Sequence, residues 1–91
     1  DDAVLGAIDI AIGKARTAAL FRAPTEALWD YARPGGPSPG LENSNGGLVV
    51  FPGGLPLFDA TGQLLGAIGV SGGAPSQDLD IATAAAAALA A

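Results

Sequence analysis

Two cationic side chains, Lys14 and Arg16, stand two residues apart near the start of the chain. An ammonium and a guanidinium are natural donors to a propionate, carboxylate or phosphate. Residues two apart do not share a helix face, so only one of them can point into a pocket. Lys14 is the better candidate, because Ile10 and Thr17 continue a stripe with it at three- to four-residue spacing. A solvated Lys14 that completes a polar face with Asp9 or Asp2 is the competing role. Downstream, Phe51-Pro52-Gly53-Gly54 combines an aromatic ring with two glycines, whose backbone N–H groups and small bulk suit a small acid or a planar ligand. A structural bulge is the alternative there, and no Gly-Lys-Ser or Gly-Lys-Thr follows to make a phosphate loop.

The missing residue types narrow the chemistry further. The chain has no His, Cys or Met. Ser71, at the end of an apolar run, therefore has no imidazole in the chain to activate it, which excludes a hydrolase triad built from this sequence alone. Imidazole, thiolate or thioether ligation of a haem cannot come from it either, and no metal ligated by this chain is expected. Tyr31 is the one common haem-ligand type present, although a lone Tyr on a short helix is far more often a packed aromatic. Asp59, Asp78, Asp80 and Glu42 are spread over turns and a helix start, where capping and solubility explain them. Asp78 and Asp80 are two apart and so fall on different faces. Four Lys and Arg against nine Asp and Glu give a net charge of −5, which repels phosphate backbones and anionic lipid. Neither nucleic acid nor a membrane is an expected partner.

The elements that must position these residues follow from periodicity. Val4, Ile8, Ala11, Ile12, Ala15, Ala18 and Ala19 recur at helical spacing and predict an amphipathic helix from Val4 to Phe21. Asp1 and Asp2 suit its N-terminal dipole. Pro24 fits the first turn of a shorter helix through Tyr31. Residues 33–47, with three Pro and five Gly, read as a long irregular loop. Leu48–Phe51 and Leu55–Phe58 are short β-favouring runs, although Pro56 argues against regular central pairing of the second. Asp59–Gln63 forms a turn into Leu64–Val70, giving a β-hairpin. Gly66 and Gly69 suggest that a helix or ligand packs closely on the second strand. A final Ala-rich helix starts near Pro75 and Ser76, with Asp78 and Asp80 in its first turn.

The fold class is therefore α+β, an antiparallel sheet flanked by helices. A two-stranded sheet is marginal alone. Charged residues make up 14% of the chain against roughly 25% in an average soluble domain, so either an Ala-rich small fold or an interface is hiding surface. The marginal sheet implies strands supplied from upstream or from another chain. No apolar run reaches the roughly 18 residues of a spanning helix, and no signal peptide is visible. The start at Asp1 fits processing or an incomplete chain; the expectation is a soluble protein, cytoplasmic or exported after processing, with the compartment open.

Three segments taken together carry a resemblance: Ile8-Asp9-Ile10-Ala11-Ile12-Gly13-Lys14-Ala15-Arg16-Thr17-Ala18-Ala19, Phe51-Pro52-Gly53-Gly54-Leu55-Pro56-Leu57 and Gly66-Ala67-Ile68-Gly69-Val70-Ser71-Gly72. In this order the chain resembles the GlcG/HbpS family of haem-degrading or haem-binding domains, also found at the C-terminus of some corrinoid adenosyltransferases. The resemblance implies a profilin- or roadblock-like α/β/α layout, assembled into oligomers, with a helix and a strand pair ahead of the residue aligned with Asp1. Residues 1–91 would then be the C-terminal part of a single such domain, incomplete without those strands.

The leading functional expectation is a binding module within an oligomer, with haem or another tetrapyrrole as the ligand implied by resemblance. Lys14, Thr17, Phe51, Pro52, Gly53, Gly54 and Ser71 are its candidate ligand-binding residues. Two alternatives stand: a pocket-lining component of a two-chain enzyme whose partner brings the His or carboxylates, and an oligomerisation domain whose interface fills a cleft around Phe51 and Phe58. Whether catalysis occurs is left open. The expected partner is an upstream fragment or second chain that supplies the missing strands, followed by a homo- or hetero-oligomer, with the isolated chain poorly folded.

Overall fold

The computed structural model describes residues 5–90, so the expectations resting on Asp1, Asp2 and Val4 lie outside the described residues. The order of elements is α1 (Leu5–Phe21), α2 (Thr25–Ala32), a single 3-10 turn (Leu41–Asn43), β1 (Gly54–Phe58), β2 (Leu64–Gly69) and α3 (Pro75–Ala90). β1 and β2 pair antiparallel, with Gly54 opposite Gly69, Leu55 opposite Ile68 and Pro56 opposite Ala67. The fold is α+β, an antiparallel hairpin flanked by helices, as the residue pattern predicts.

The Gly54–Gly69 pair determines how α1 lies on the hairpin. A Cβ on Gly69 would collide with the Ala11 carbonyl and come within 2.8 Å of the Ala15 nitrogen, and one on Gly54 would lie 2.6 Å from the Lys14 carbonyl. The helix backbone thus rests directly on strand backbone, which only paired glycines permit. The close-packing expectation holds at Gly69 but not at Gly66, where a Cβ would meet nothing within 4 Å.

This close seat changes which side of α1 is buried. Lys14, Thr17 and Ala18 are buried, whereas Ile8 and Ile12, expected on the core stripe, are 55% and 63% exposed. Ala11 and Ala15 occupy the contact line, and the bulky isoleucines are displaced to its flank. The helix ends when Arg22 adopts a left-handed φ of 53° and the Ala23 N–H reaches back to the Ala18 carbonyl at 3.3 Å, a Schellman-type closure. Pro24 caps α2 from just outside its first turn, one position earlier than expected.

Residues 48–51, predicted as a strand, belong to no ladder among the described residues. The Leu48 N–H goes to the Glu42 carbonyl at 2.7 Å and the Val49 N–H to the Thr17 hydroxyl at 3.1 Å, so loop and helix take the place of a partner strand. Leu48 and Val50 join Leu28 and Ala32 of α2 in a buried cluster flanked by Trp29 and Leu41. Arg16 holds the preceding loop, donating to the carbonyls of Asn45 (2.7 Å) and Gly47 (3.0 Å).

The hairpin turn is built on Asp59. Its Oδ1 accepts from the Thr61 hydroxyl at 2.6 Å and from the Thr61 and Gln63 N–H groups at 2.8 and 2.9 Å. These bonds, led by the Thr61 hydroxyl, hold its carboxyl below the ordinary value of 3.8. A folded-state pKa below the unfolded one favours the turn above the unfolded value, and the benefit is lost as pH falls through the lowered one.

Two outcomes follow from this architecture. Gly69→Ala should destabilise the fold by about 3 kcal/mol or more, because backbone on α1 must move, while Gly66→Ala should be neutral or slightly stabilising. Chemical denaturation of the two variants checks this, and equal effects would contradict the glycine seat. Amide protection of Thr61 and Gln63 should persist on acidification to about 3.8 and be lost below it. Exchange measured by NMR reads it, and Asp59→Ala should remove that protection at neutral pH as well.

Candidate functional site

The open end of the hairpin, opposite the Asp59 turn, is where the candidate residues meet. Gly53 precedes β1 with a φ of +127°, a conformation that L side chains rarely adopt, and its carbonyl accepts from the Val70 N–H at 3.0 Å. Lys14 reaches this point from α1. Its Nζ donates to the Val70 carbonyl at 2.8 Å and to Asp78 Oδ2 at 3.0 Å, and the Asp78 Oδ1 accepts from the Gly73 N–H at 3.0 Å. Lys14 is 1% exposed and Asp78 3%.

One ion pair thereby joins α1, the end of β2 and the first turn of α3. The expectations of a solvated Lys14 beside Asp9 or Asp2, and of Asp78 as a capping and solubility group only, are both corrected. Asp78 does cap the turn at Gly73, but it is interior because α3 begins against the hairpin end. Gln77 assists that start, its Oε1 accepting from the Ala74 N–H at 3.0 Å, one half of a capping box. Space at Gly53 is filled: a Cβ would stand 2.8 Å from the Val70 carbonyl and 2.9 Å from both Asp78 Cβ and Lys14 Nζ.

Two threonines fix the approach to the turn. Thr17 Oγ1 accepts from the Val49 N–H, as noted above. Thr25 Oγ1, fully buried at the start of α2, donates to the Phe51 carbonyl at 2.7 Å and accepts from the Gly54 N–H at 2.9 Å. Gly53 and Gly54 are therefore buried, and the Gly54 N–H is committed to Thr25, which corrects the expectation of two exposed glycine donors. Pro52 and Ser71 are half-buried. Phe51 is 46% exposed, its ring tilted 44° against Trp29 with centroids 6.1 Å apart.

All seven candidate residues thus lie around one end of the hairpin, in two layers: Lys14, Thr17, Gly53 and Gly54 inside, Phe51, Pro52 and Ser71 toward solvent. Asp78, Thr25 and Trp29 belong with them and were not singled out. The signal for Asp78 was available in Lys14 itself, the chain's single lysine, set on a stripe with Ile10 and Ala18 that implies burial and hence an interior counter-charge. Tyr31, expected as a packed aromatic, is 53% exposed. Phe58 ends β1 whereas Phe51 lies three residues ahead of its start, and both are exposed.

The family model described as haem degrading protein HbpS-like matches residues 1–87. The chain belongs to the HbpS-like family. It is 42% identical over 89 residues to the corrinoid adenosyltransferase PduO of Salmonella typhimurium, a match covering 97% of this chain and 26% of PduO. Among solved structures it resembles the Klebsiella pneumoniae protein ORFY, with a TM-score of 0.92 and 34% identity, covering all of this chain and 63% of the other. It also resembles a PduOC:heme complex, with a TM-score of 0.87 and 42% identity, covering 96% of this chain and 63% of the other. The chain thus spans about a quarter of PduO and under two thirds of each solved relative.

In this HbpS-like chain the ionisable groups beside the turn are Lys14 and Asp78, and each is occupied by the other. Among the described residues no group of three His, Cys, Asp or Glu could hold a metal ion, and no helix is long and apolar enough to cross a membrane. What the end of the hairpin turns toward solvent is therefore the Phe51 ring with Pro52 and Ser71, above the internal ion pair.

Removing one member of a buried pair strands the other charge, so Lys14→Met and Asp78→Ala should each cost about 3 kcal/mol or more. The double variant Lys14→Met/Asp78→Leu should be less destabilised than the sum of the singles. Denaturant titrations of the three variants check this, and additive losses would contradict an interior pair.

Proposed function

We propose that this chain is the C-terminal part of a GlcG/HbpS-like domain and acts, within an oligomer, as a binding module for haem or a related tetrapyrrole. The observation that carries the reading is the exposed Phe51 ring beside Pro52 at the hairpin end, already in contact with Trp29 and backed by glycines. An exposed aromatic face beside a proline ring suits a flat, largely apolar macrocycle. Haem in the name of the family and in a solved complex of a 42% identical relative supports the same ligand class.

The seven candidate residues divide into two roles. Phe51, Pro52 and Ser71 form the contact surface, and the buried Gly53 and Gly54 let the turn pack close beneath it. Lys14 and Thr17 hold that surface in place, since their polar atoms are engaged with Val70, Asp78 and Val49. An axial ligand of the His, Cys or Met type would come from polypeptide outside this sequence, which contains none. The same polypeptide would supply the strands that extend the sheet.

Titration of the natively assembled protein with haemin, followed by Soret absorbance, tests the reading. A saturable change is expected, weakened about tenfold or more by Phe51→Ala, through loss of stacking and apolar contact, and unaffected by Tyr31→Phe. No saturable change would remove haem as the ligand. Loss of binding in Tyr31→Phe would move the site to α2.

A further inference from the structure

The long loop ahead of Leu48, which the proposed site does not use, holds both asparagines of the chain, Asn43 and Asn45. Both are exposed, and they differ in the group that follows them. Asn43 precedes Ser44, whose N–H donates to the Leu41 carbonyl at 3.0 Å. Asn45 precedes Gly46, whose N–H has no partner among the described residues, and no hydrogen bond among them engages the Asn45 carboxamide.

A carboxamide placed this way can be attacked by the backbone nitrogen that follows it, and three features favour that reaction at Asn45. Gly46 has no Cβ to crowd the ring that would form. Asn45 carries a left-handed φ of 55°, less stable for an L side chain than the ordinary basins, so rotation out of it meets less opposition. Arg16 Nη2 donates to the Asn45 carbonyl oxygen at 2.7 Å, and a cation there stabilises the anion left when the Gly46 N–H loses its proton. Arg16 also braces the loop through the Gly47 carbonyl at 3.0 Å, which slows the approach of the reacting atoms. The overall rate therefore balances two effects of Arg16, whereas the way the ring later opens depends on its charge alone.

We propose that Asn45–Gly46 is a modification site at which the chain converts its own Asn45 to isoaspartate, with Arg16 directing the outcome. Hydroxide removes the Gly46 N–H proton, and the nitrogen attacks Asn45 Cγ. A bond forms between them, the Cγ–Nδ2 bond breaks, and ammonia leaves with a proton taken from water. Water then opens the resulting succinimide at one of its two carbonyls. Attack at the α-carbonyl, whose oxygen Arg16 holds, breaks its bond to the Gly46 nitrogen, which takes up a proton. The chain now runs through Cγ, and the freed α-carboxylate stands against the guanidinium. Attack at Cγ instead gives aspartate with the chain path unchanged. Arg16 polarises the first carbonyl and pairs with the carboxylate it becomes, so isoaspartate is favoured. The net exchange is ammonia for water, with no oxidant or reductant. The loop gains one backbone carbon and one negative charge beside α1, and the inference is independent of the ligand.

Incubation of the natively assembled protein in mildly alkaline buffer tests this, followed by peptide mapping that separates isoaspartyl from aspartyl peptides, with the urea-unfolded chain as reference. Isoaspartate should accumulate at position 45 while Asn43 stays intact. Its ratio to aspartate should exceed that of the unfolded chain by about threefold, the size of an exposed charge-assisted contact. Arg16→Gln, shown to be folded by circular dichroism, should lose that excess, and Arg16→Lys should keep part of it. An Asn45 still intact once the unfolded chain has converted would overturn the site. A ratio equal to that of the unfolded chain, or unchanged in folded Arg16→Gln, would overturn the directing role of Arg16.

Discussion

The hairpin end depends on a lysine that cannot reach water. Because α1 rests on paired glycines, Lys14 is carried to the mouth of the hairpin with its ammonium enclosed, and an interior charge without a partner would cost several kcal/mol. Asp78 and the Val70 carbonyl offset that cost. Each then gains a fixed position: Val70 at the end of β2, Asp78 at the start of α3. α1 and α3 share no packed face among the described residues, so this pair is the link between them. Gly53 has its form because the space a side chain would need is occupied by the pair itself.

The surface exposed at the hairpin end is a consequence of this internal tie. Thr17 and Thr25 anchor the approach to the turn at Val49 and at Phe51–Gly54, and the ion pair anchors its far side. Phe51 and Pro52 are what remains facing out. In the proposed binding role such a surface would select by shape and apolar contact. The same glycine seat that buries Lys14 displaces Ile8 and Ile12, so the fixed hairpin end and the exposed apolar flank of α1 have one origin.

Much of this was legible in the residues. The three helices, the hairpin, the Asp59 turn and the approach of a helix to Gly69 follow from periodicity and turn chemistry, and the three quoted segments meet around one end of the hairpin. What escaped was non-local. Lys14 and Asp78 are 64 positions apart, and periodicity carries no information about which distant carboxylate meets a buried amine. Leu48–Phe51 has the composition of a strand, but a strand needs a neighbour, and here Glu42 and Thr17 take the backbone groups. Ile8 and Ile12 share a stripe with Ala11 and Ala15, and the sequence alone does not tell that the small residues make the contact.

The claim that Lys14 supports the site from within is tested most directly at its own ammonium group. In a 15N-resolved NMR spectrum of the assembled protein, an Nζ held between Val70 and Asp78 should give an observable resonance from slowly exchanging protons. That resonance should keep its position when haemin is added to saturation. An Nζ signal lost to rapid exchange with water, or one that shifts strongly as haemin binds, would contradict the account and make Lys14 a contact of the ligand.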